Sequence, residues 1–264
     1  MAAREFEQAL AASRSRRAGI GEPFHFHDEL GSTNDEAARL AEAGAPHGTT
    51  IVAAAQTAGR GRLGRSWFSP PGAGLYASVI VRAPRAAPLL TLAGGVAIAE
   101  GIRVAALLPA EIKWPNDIVV DCGLGRRRKL AGILTEGASG KDGLQHVVVG
   151  FGINLLPTAY PPDIADRATS IAAELGRAVD APAILAECLA ALAQRVAELA
   201  AGNHLDVLGR WMTLSPSATG ARVECEGLHG AVKGTTAGVA EDGALLVRTH
   251  GRIEAIRSGL VRWL

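Results

Sequence analysis

Gly59-Arg60-Gly61-Arg62-Leu63-Gly64-Arg65 sets three glycines and three arginines in seven residues, with no acid among them. Such a stretch cannot run inside a helix or a strand. Glycine loses more backbone freedom on ordering than any other residue, and three guanidiniums so close together repel. The segment must be a loop, and it reads as a flexible cationic one. Its arginines offer planar donor forks to phosphate or carboxylate, and its glycines let backbone N–H groups approach a ligand. A solvated basic loop, and an RGG-like segment touching nucleic acid, are the other readings of these seven residues alone.

The surrounding chain narrows the choice. Over 264 residues the formal charge is +1, which argues against a general polyanion binder. The cations are clustered instead, at Arg60, Arg62 and Arg65 and again at Arg126, Arg127, Arg128 and Lys129. Local clusters in a neutral chain point to local anion sites. Cys122, Cys188 and Cys225 lie far apart, with no CxxC or Cys/His metal spacing, and read as reduced thiols of a cytoplasmic protein. No signal peptide is expected at the N-terminus. The apolar stretch from Leu89 to Leu108 carries Glu100 and Arg103 and reads as a buried helix rather than a membrane span.

Periodicity sketches the architecture. Residues 1–21 are weakly patterned, a loose helix or tail. A short strand is expected at Phe24–Phe26 and a helix after Ser32-Thr33-Asn34, with Thr33 and Glu36 at capping-box spacing. That helix start is either an ordinary cap or a ligand-facing N-terminus. Strands are expected at 50–55, 75–81, 112–114, 118–120, 129–136 and 146–154. Helices are expected at 88–104, 182–200 and 205–214. Strands, hairpins and helices are interleaved without a strict βαβ order, so the class is α+β. The run Ser215-Pro216-Ser217 to Gly220 breaks the composition. Beyond it, short runs punctuated by glycine, with Asp242-Gly243 as a hairpin turn, predict a small β-barrel. The expected domains are therefore 1–217 and 218–264.

Four segments are too costly for packing alone: Gln56 to Trp67, Lys113-Trp114-Pro115-Asn116-Asp117, Lys129 to Leu134, and Gly150-Phe151-Gly152-Ile153-Asn154. Alternation in the third predicts Lys129, Ala131 and Ile133 on one face, with Gly132 on the other, admitting a close approach. Arg126 to Arg128 read as a solvated loop, and Asp121 to Arg128 as a long link. Trp67 and Trp114 are either core or site residues, and Asn154 either a strand end or a contact. These segments supply arginines, lysines, an aspartate and asparagines, but no obvious nucleophile. That inventory suits substrates that react with each other while the protein positions them and stabilises charge.

Together with Ser32-Thr33-Asn34, these segments resemble the signature of biotin protein ligases, in the family's order, from about residue 25 onwards. The resemblance implies a catalytic domain with a mixed sheet and flanking helices, similar to class II aminoacyl-tRNA synthetases, followed by an SH3-like β-barrel. It implies activation of biotin by MgATP to biotinyl-5′-AMP, then transfer to one lysine of a biotin carboxyl carrier domain of acetyl- or acyl-CoA carboxylase. Site residues follow from the same resemblance. Ser32, Thr33, Asn34 and Gln56 would meet biotin, with Gly59, Arg60, Gly61 and Arg62 closing over it and binding the acyl-phosphate. Lys129, beside Gly132, would neutralise the meeting anions. Lys113 would bind ATP phosphates, Asp117 would position the adenylate or the carrier lysine, and Arg65, Trp114, Asn116 and Asn154 would face ATP. Trp67 would wall the site. No dedicated metal cage is implied, only Mg²⁺ with ATP near Asp117. The short segment before Ser32 does not accommodate the winged helix-turn-helix of repressor members, so neither DNA nor membrane is an expected partner. A lipoate or octanoate ligase of the same superfamily is the near alternative, and a nucleic-acid-binding module the remote one.

Overall fold

The computed structural model describes residues 3–123, 126–141, 143–227 and 230–264. Strand β1 (Phe24–His27) pairs in parallel with β2 (Thr50–Ala53), and helix α2 (Thr33–Glu42) makes the crossover that parallel neighbours require. Strands β3 (Gly74–Val81), β4 (Glu111–Lys113), β5 (Asp117–Asp121), β6 (Arg127–Gly140) and β7 (Gly143–Asn154) complete a seven-stranded sheet. Its order is β1-β2-β3-β7-β6-β5-β4, antiparallel at every pair except the first. The sheet is mixed and the class is α+β, as the sequence indicated.

Helices cover both faces. On one side α2 buries Ala37 and Ala41 against Ile51, Ile80 and Val148. On the other lies α3 (Leu90–Ala106), covered in turn by α5 (Ala181–Ala200) and α6 (His204–Leu214). By length and composition the Pro84–Ala106 stretch is apolar enough to cross a membrane. It is instead enclosed between sheet and helix, the usual place of a helix apolar all round. The crossing of α3 and α5 is set by Gly101. A Cβ there would stand 2.6 Å from the Cys188 backbone nitrogen, closer than real atoms approach.

The N-terminal segment is more ordered than its sequence suggested. Helix α1 (Ala3–Ser13) buries Phe6 and Leu10, and the Phe6 ring lies 5.7 Å from Phe26 and 6.3 Å from Phe24. The buried Arg17 guanidinium then ties the helix down, donating to the Leu10 carbonyl at 2.7 Å and to Ser13 Oγ at 3.1 Å. Two apolar residues one helical turn apart suffice because a partner surface exists, which local pattern does not reveal. The short helix α4 (Ile171–Leu175), which the sequence reading did not include, is capped by Ser170, with the hydroxyl accepting from Ala173 N–H.

After a turn of 3₁₀ helix at Pro216–Ala218 the chain enters a second sheet. Strands β8 (Thr219–Gly227), β9 (Gly230–Val239), β10 (Leu245–Thr249), β11 (Arg252–Ile256) and β12 (Leu260–Trp263) are antiparallel in the order β11-β10-β9-β8-β12. Asp242-Gly243 does turn the chain between β9 and β10, with Gly243 at φ +81°. Trp114 Nε1 donates to the Gly243 carbonyl at 3.0 Å, so this hairpin is fastened to the edge of the large sheet.

Two helix glycines make opposite predictions. Gly101→Ala costs about 1–3 kcal/mol, the usual range for overpacking, because its clash is with backbone. Gly95→Ala meets Ile112 at an ordinary 3.5 Å and gains up to ~1 kcal/mol from helix propensity. Urea unfolding of both variants checks this, and equal midpoints would contradict the packing described.

Candidate active site

One cleft of about 710 Å³ gathers most of the chemistry-bearing residues. Its floor is bare backbone. Gly132 of β6 pairs with Gly152 of β7, and Leu134 with Gly150. A Cβ on Gly152 would stand 2.6 Å from Trp67 Cε2, and one on Gly132 3.0 Å from Trp67 Cζ3. Glycine at these positions therefore lets the Trp67 ring lie flat along the floor. The side chain nearest Gly132 is this indole. Gly150 similarly makes room for the Asn34 amide.

Lys129 reaches the floor through a bulge. Ala131 pairs with Ile118 and Lys129 with Val119, so β6 spends one extra residue, Leu130, against β5. The bulge reverses the strand's alternation at that point. Leu130 and Ala131 are both buried, while Lys129 and Gly132 share the cleft face: a Cβ on Gly132 would stand 3.3 Å from the lysine Cε and Nζ. Simple alternation had placed Lys129 with Ala131 and Ile133. The extra residue is why it does not hold.

Around Lys129 the charges are fixed. Its Nζ lies 2.6 Å from Asp117 Oδ1 and 5.1 Å from the centre of the Trp67 ring. Asp117 stands opposite Lys113 across the β4–β5 hairpin. Asn116, in the turn, donates from Nδ2 to the Ile133 carbonyl at 2.7 Å, and its own carbonyl accepts from Ile133 N–H at 2.9 Å. Its Oδ1 accepts from Arg62 Nη1 at 3.2 Å. Burial lowers the Lys113 ammonium below the ordinary lysine range, with nearby Lys129 adding to the effect and Asp117 opposing it. Burial likewise lowers the Arg62 guanidinium, against the pull of Asp117. Among the described residues eight arginines and lysines line the cleft against one carboxylate, Asp117. The wall suits a polyanion.

The opposite wall is neutral. Ser32 is the N-cap of α2, but its side chain makes no capping bond and it lines the cleft. Thr33 N–H donates to Gln56 Oε1 at 2.8 Å and Gln56 Nε2 to Ser69 Oγ at 2.9 Å. The expected Thr33–Glu36 capping box is absent. Thr33 N–H is taken by Gln56, and the Glu36 carboxylate is paired with Arg39 at 2.7 Å. Ser78 Oγ lies 2.8 Å from Thr33 Oγ1 and 2.6 Å from Asn34 Oδ1, and Asn34 Nδ2 donates to Glu136 at 2.6 Å.

The Gly/Arg segment is an ordered hairpin across the mouth. Arg60 and Ser66 bridge, and at the tip Arg65 N–H donates to the Arg62 carbonyl at 3.3 Å. Leu63 and Gly64 are both left-handed there, at φ +57° and +72°, as a tight two-residue hairpin turn demands. Arg60 is clamped by Asp35 at 2.6 Å and Glu136 at 2.7 Å. Gly61, Arg62 and Arg65 face the cleft.

Two expected contacts lie elsewhere. Gly59 is buried behind Trp67, whose N–H donates to its carbonyl at 2.8 Å. Asn154 is buried, its amide donating to the Thr169 carbonyl at 2.9 Å, and is not among the lining residues. Trp114 is both buried and a lining residue, so the core and site readings hold together. Of the Asp121–Arg128 link, residues 124 and 125 lie outside the described residues. Arg126 is exposed, as expected of a solvated loop, but Arg127 and Arg128 open β6, half-buried, and pair with Glu111 at 2.6 Å and Glu174 at 3.0 Å. Arg127, Arg167 and Trp263 line the cleft without having been picked out as site residues. Arg127 sits in a visible cationic run, whereas no local signal marks Trp263.

Similarity to known proteins shows the family. The model for the biotin/lipoate A/B protein ligase family matches residues 30–154. A bifunctional ligase/repressor BirA of Bacillus subtilis is 34% identical over 244 residues, 90% of this chain and 73% of that protein. A biotin–[acetyl-CoA-carboxylase] ligase of Mycobacterium tuberculosis is 34% identical over 243 residues, 88% of this chain and 85% of its own. The structure of a biotin protein ligase from Aquifex aeolicus in complex with biotin and ATP superposes with a TM-score of 0.77. It is 29% identical over 90% of this chain and 97% of that one. The chain belongs to the biotin protein ligase family.

Trp67's place on the glycine floor is open to test. Gly152→Ala expels the ring and shifts its emission to the red, read as the difference from Trp67→Phe in the same background. Unchanged emission would show that the indole does not rest there.

Proposed function

We propose that this chain is an ATP-dependent biotin protein ligase acting through an acyl-adenylate. The observation that carries the reading is the juxtaposition of a neutral hydrogen-bonding wall with an eight-cation wall across one tryptophan-covered floor. Biotin has a neutral ureido head and an anionic tail, and ATP brings the polyanion. The head would meet Ser32, Thr33 and Gln56, and the tail would reach Lys129 over Trp67. A carboxylate oxygen attacks the α-phosphorus, the bond to the bridging oxygen breaks, and pyrophosphate leaves. The carrier lysine amine then attacks the acyl carbon, loses a proton, and AMP departs.

The first step must bring two anions together. At ~4 Å and an effective dielectric of ~20 their repulsion is on the order of 4 kcal/mol. Lys129 sits where it can offset this, with Arg62 on the hairpin and Lys113 on β4 holding the phosphates, and Arg65, Trp114 and Asn116 completing the nucleotide side. Gly61 and the hairpin would cover the mixed anhydride against water. Magnesium bound through phosphates needs only one or two protein carboxylates. Asp117 is the one carboxylate lining the cleft, and among the described residues no cluster of acids, histidines and cysteines could cage a metal. The donor set thus fits an ion carried in by ATP, whose charge would supply further phosphate neutralisation.

The wider assignments belong to the same proposal. Residues 1–217 would form the catalytic domain, akin to class II aminoacyl-tRNA synthetases, and 218–264 an SH3-like barrel. The acceptor would be the carrier domain of an acetyl- or acyl-CoA carboxylase, and the site of action the cytoplasm, where the free Cys122, Cys188 and Cys225 stay reduced. The relatives named above favour biotin over lipoate. Cations lining a cleft rather than an open face favour a small ligand over nucleic acid.

Exchange of labelled pyrophosphate into ATP is expected only when biotin is present. Exchange driven by lipoate instead would overturn the reading. Lys129→Ala lowers this exchange by on the order of 10²–10³ while the unfolding midpoint stays close to that of the parent.

The lowered Lys113 gives a pH signature. Its positive charge is lost at lower pH than in an ordinary lysine, so kcat/KM for ATP falls correspondingly early as pH rises. Asp117→Asn removes the carboxylate that supports the charge and moves this alkaline limb to lower pH, whereas Lys113→Arg moves it up. A limb indifferent to both changes would place Lys113 outside the nucleotide site.

A further inference from the structure

Strand β12 (Leu260–Trp263), with Gly259 before it, lies against the cationic wall. The Lys113 ammonium lies 4.5 Å from the centre of the Trp263 ring, and the Arg127 guanidinium 5.5 Å from it. The two cations differ in their other bonds. Arg127 is paired with Glu111 at 2.6 Å. Among the described residues the Lys113 ammonium has no hydrogen bond and no ion pair within 4.0 Å, so the indole is its direct partner. Trp263 is itself held from behind, pairing with Val223 in the register between β12 and β8.

A buried ammonium facing a ring differs from one facing a carboxylate. The ring's quadrupole attracts the cation and fixes its position, but supplies no net charge to cancel it. An arriving anion then meets a located positive charge that no ion pair holds, supported only at longer range by Asp117. A carboxylate in the same place would hold the lysine as well and compete with the anion for it. Lys129, by contrast, has such a carboxylate in Asp117. The cleft therefore holds one lysine that is charge-paired and one that is held but unpaired.

We infer that Trp263 is a positioning residue: it holds Lys113, unneutralised, against the nucleotide side of the cleft, and so makes the C-terminal sheet part of the ATP-binding step. This rests on the proposed role of Lys113 in gripping the ATP phosphates. Arg127, anchored by Glu111, lies over the same ring. The neutral wall and Trp67 lie outside this contact, so biotin binding does not depend on it.

The test uses the full chain and the variants Trp263→Leu and Trp263→Phe. Biotin-dependent pyrophosphate exchange gives KM for ATP, KM for biotin and kcat. Amine acetylation followed by mass spectrometry gives the reactivity of Lys113 without reference to activity. Trp263→Leu is expected to raise KM for ATP by about tenfold, leave KM for biotin and kcat within about twofold, and increase Lys113 acetylation. Trp263→Phe restores most of each effect, because an aromatic face remains. An unchanged KM for ATP in an active Trp263→Leu enzyme would overturn the inference. So would a parallel rise in both KM values with a lowered unfolding temperature, which marks a merely structural strand. Should Trp263→Leu not fold, the same readings on Trp263→Phe decide, with a small rise confined to KM for ATP expected. If the parent shows no biotin-dependent exchange, the ligase reading falls first, and unchanged Lys113 acetylation would then remove the contact as well.

Discussion

The structure turns on the ion pair between Lys129 and Asp117. Each partner is delivered by an irregularity in an otherwise regular sheet. The bulge at Leu130 turns Lys129 out of the core, and Asn116, bonded in both directions to Ile133, fixes the turn from which Asp117 starts β5. Neither device is needed to close the sheet. Both are needed to place one ammonium and one carboxylate 2.6 Å apart on a glycine floor. The pair leaves Lys129 oriented and partly solvated, and Asp117 also feels two further positive charges, Lys113 and Arg62. Such a site is charged for anions before any arrives, which is the preorganisation that electrostatic catalysis requires.

Packing elsewhere serves that placement. Gly132, Gly150 and Gly152 remove three side chains from the centre of the sheet, and Trp67 and Asn34 occupy the space so made. On the other face α3 lies against the sheet, and α5 closes on α3 through Gly101. The hairpin at the mouth gains its shape from a left-handed Leu63-Gly64 tip and its attachment from Arg60. Its three arginines thus do different things. Arg60 anchors, Arg62 reaches Asn116, and Arg65 is exposed at the rim.

Much of this was legible from sequence because it is local. The strands and the longer helices between residues 24 and 214 (though not the short helix α4), the hairpin at Asp242-Gly243 and the break after Leu214 follow from periodicity and turn residues. So does the gathering of Gln56, Arg62, Lys113, Asp117 and Lys129, since each belongs to a segment whose composition serves no fold. What was not legible depends on partners far along the chain. The bulge at Leu130 cannot be read from one strand, so simple alternation set Lys129 on the wrong face. Thr33 prefers Gln56 to Glu36 because β2 brings Gln56 beside it. Asn154 is claimed by Thr169, and Trp263 reaches Lys113 only once both sheets exist.

The central claim is that Lys129, oriented by Asp117, stabilises the junction of a carboxylate and a phosphate rather than the fold. Calorimetric binding of two ligands to the parent and to Lys129→Met tests it most directly. One ligand is a stable acyl-sulfamate analogue of biotinyl-adenylate, which carries charge at the junction, and the other is neutral biotinamide. The account predicts a loss on the order of 10²-fold for the analogue and little change for biotinamide. Equal losses for both, or none for either, would contradict it.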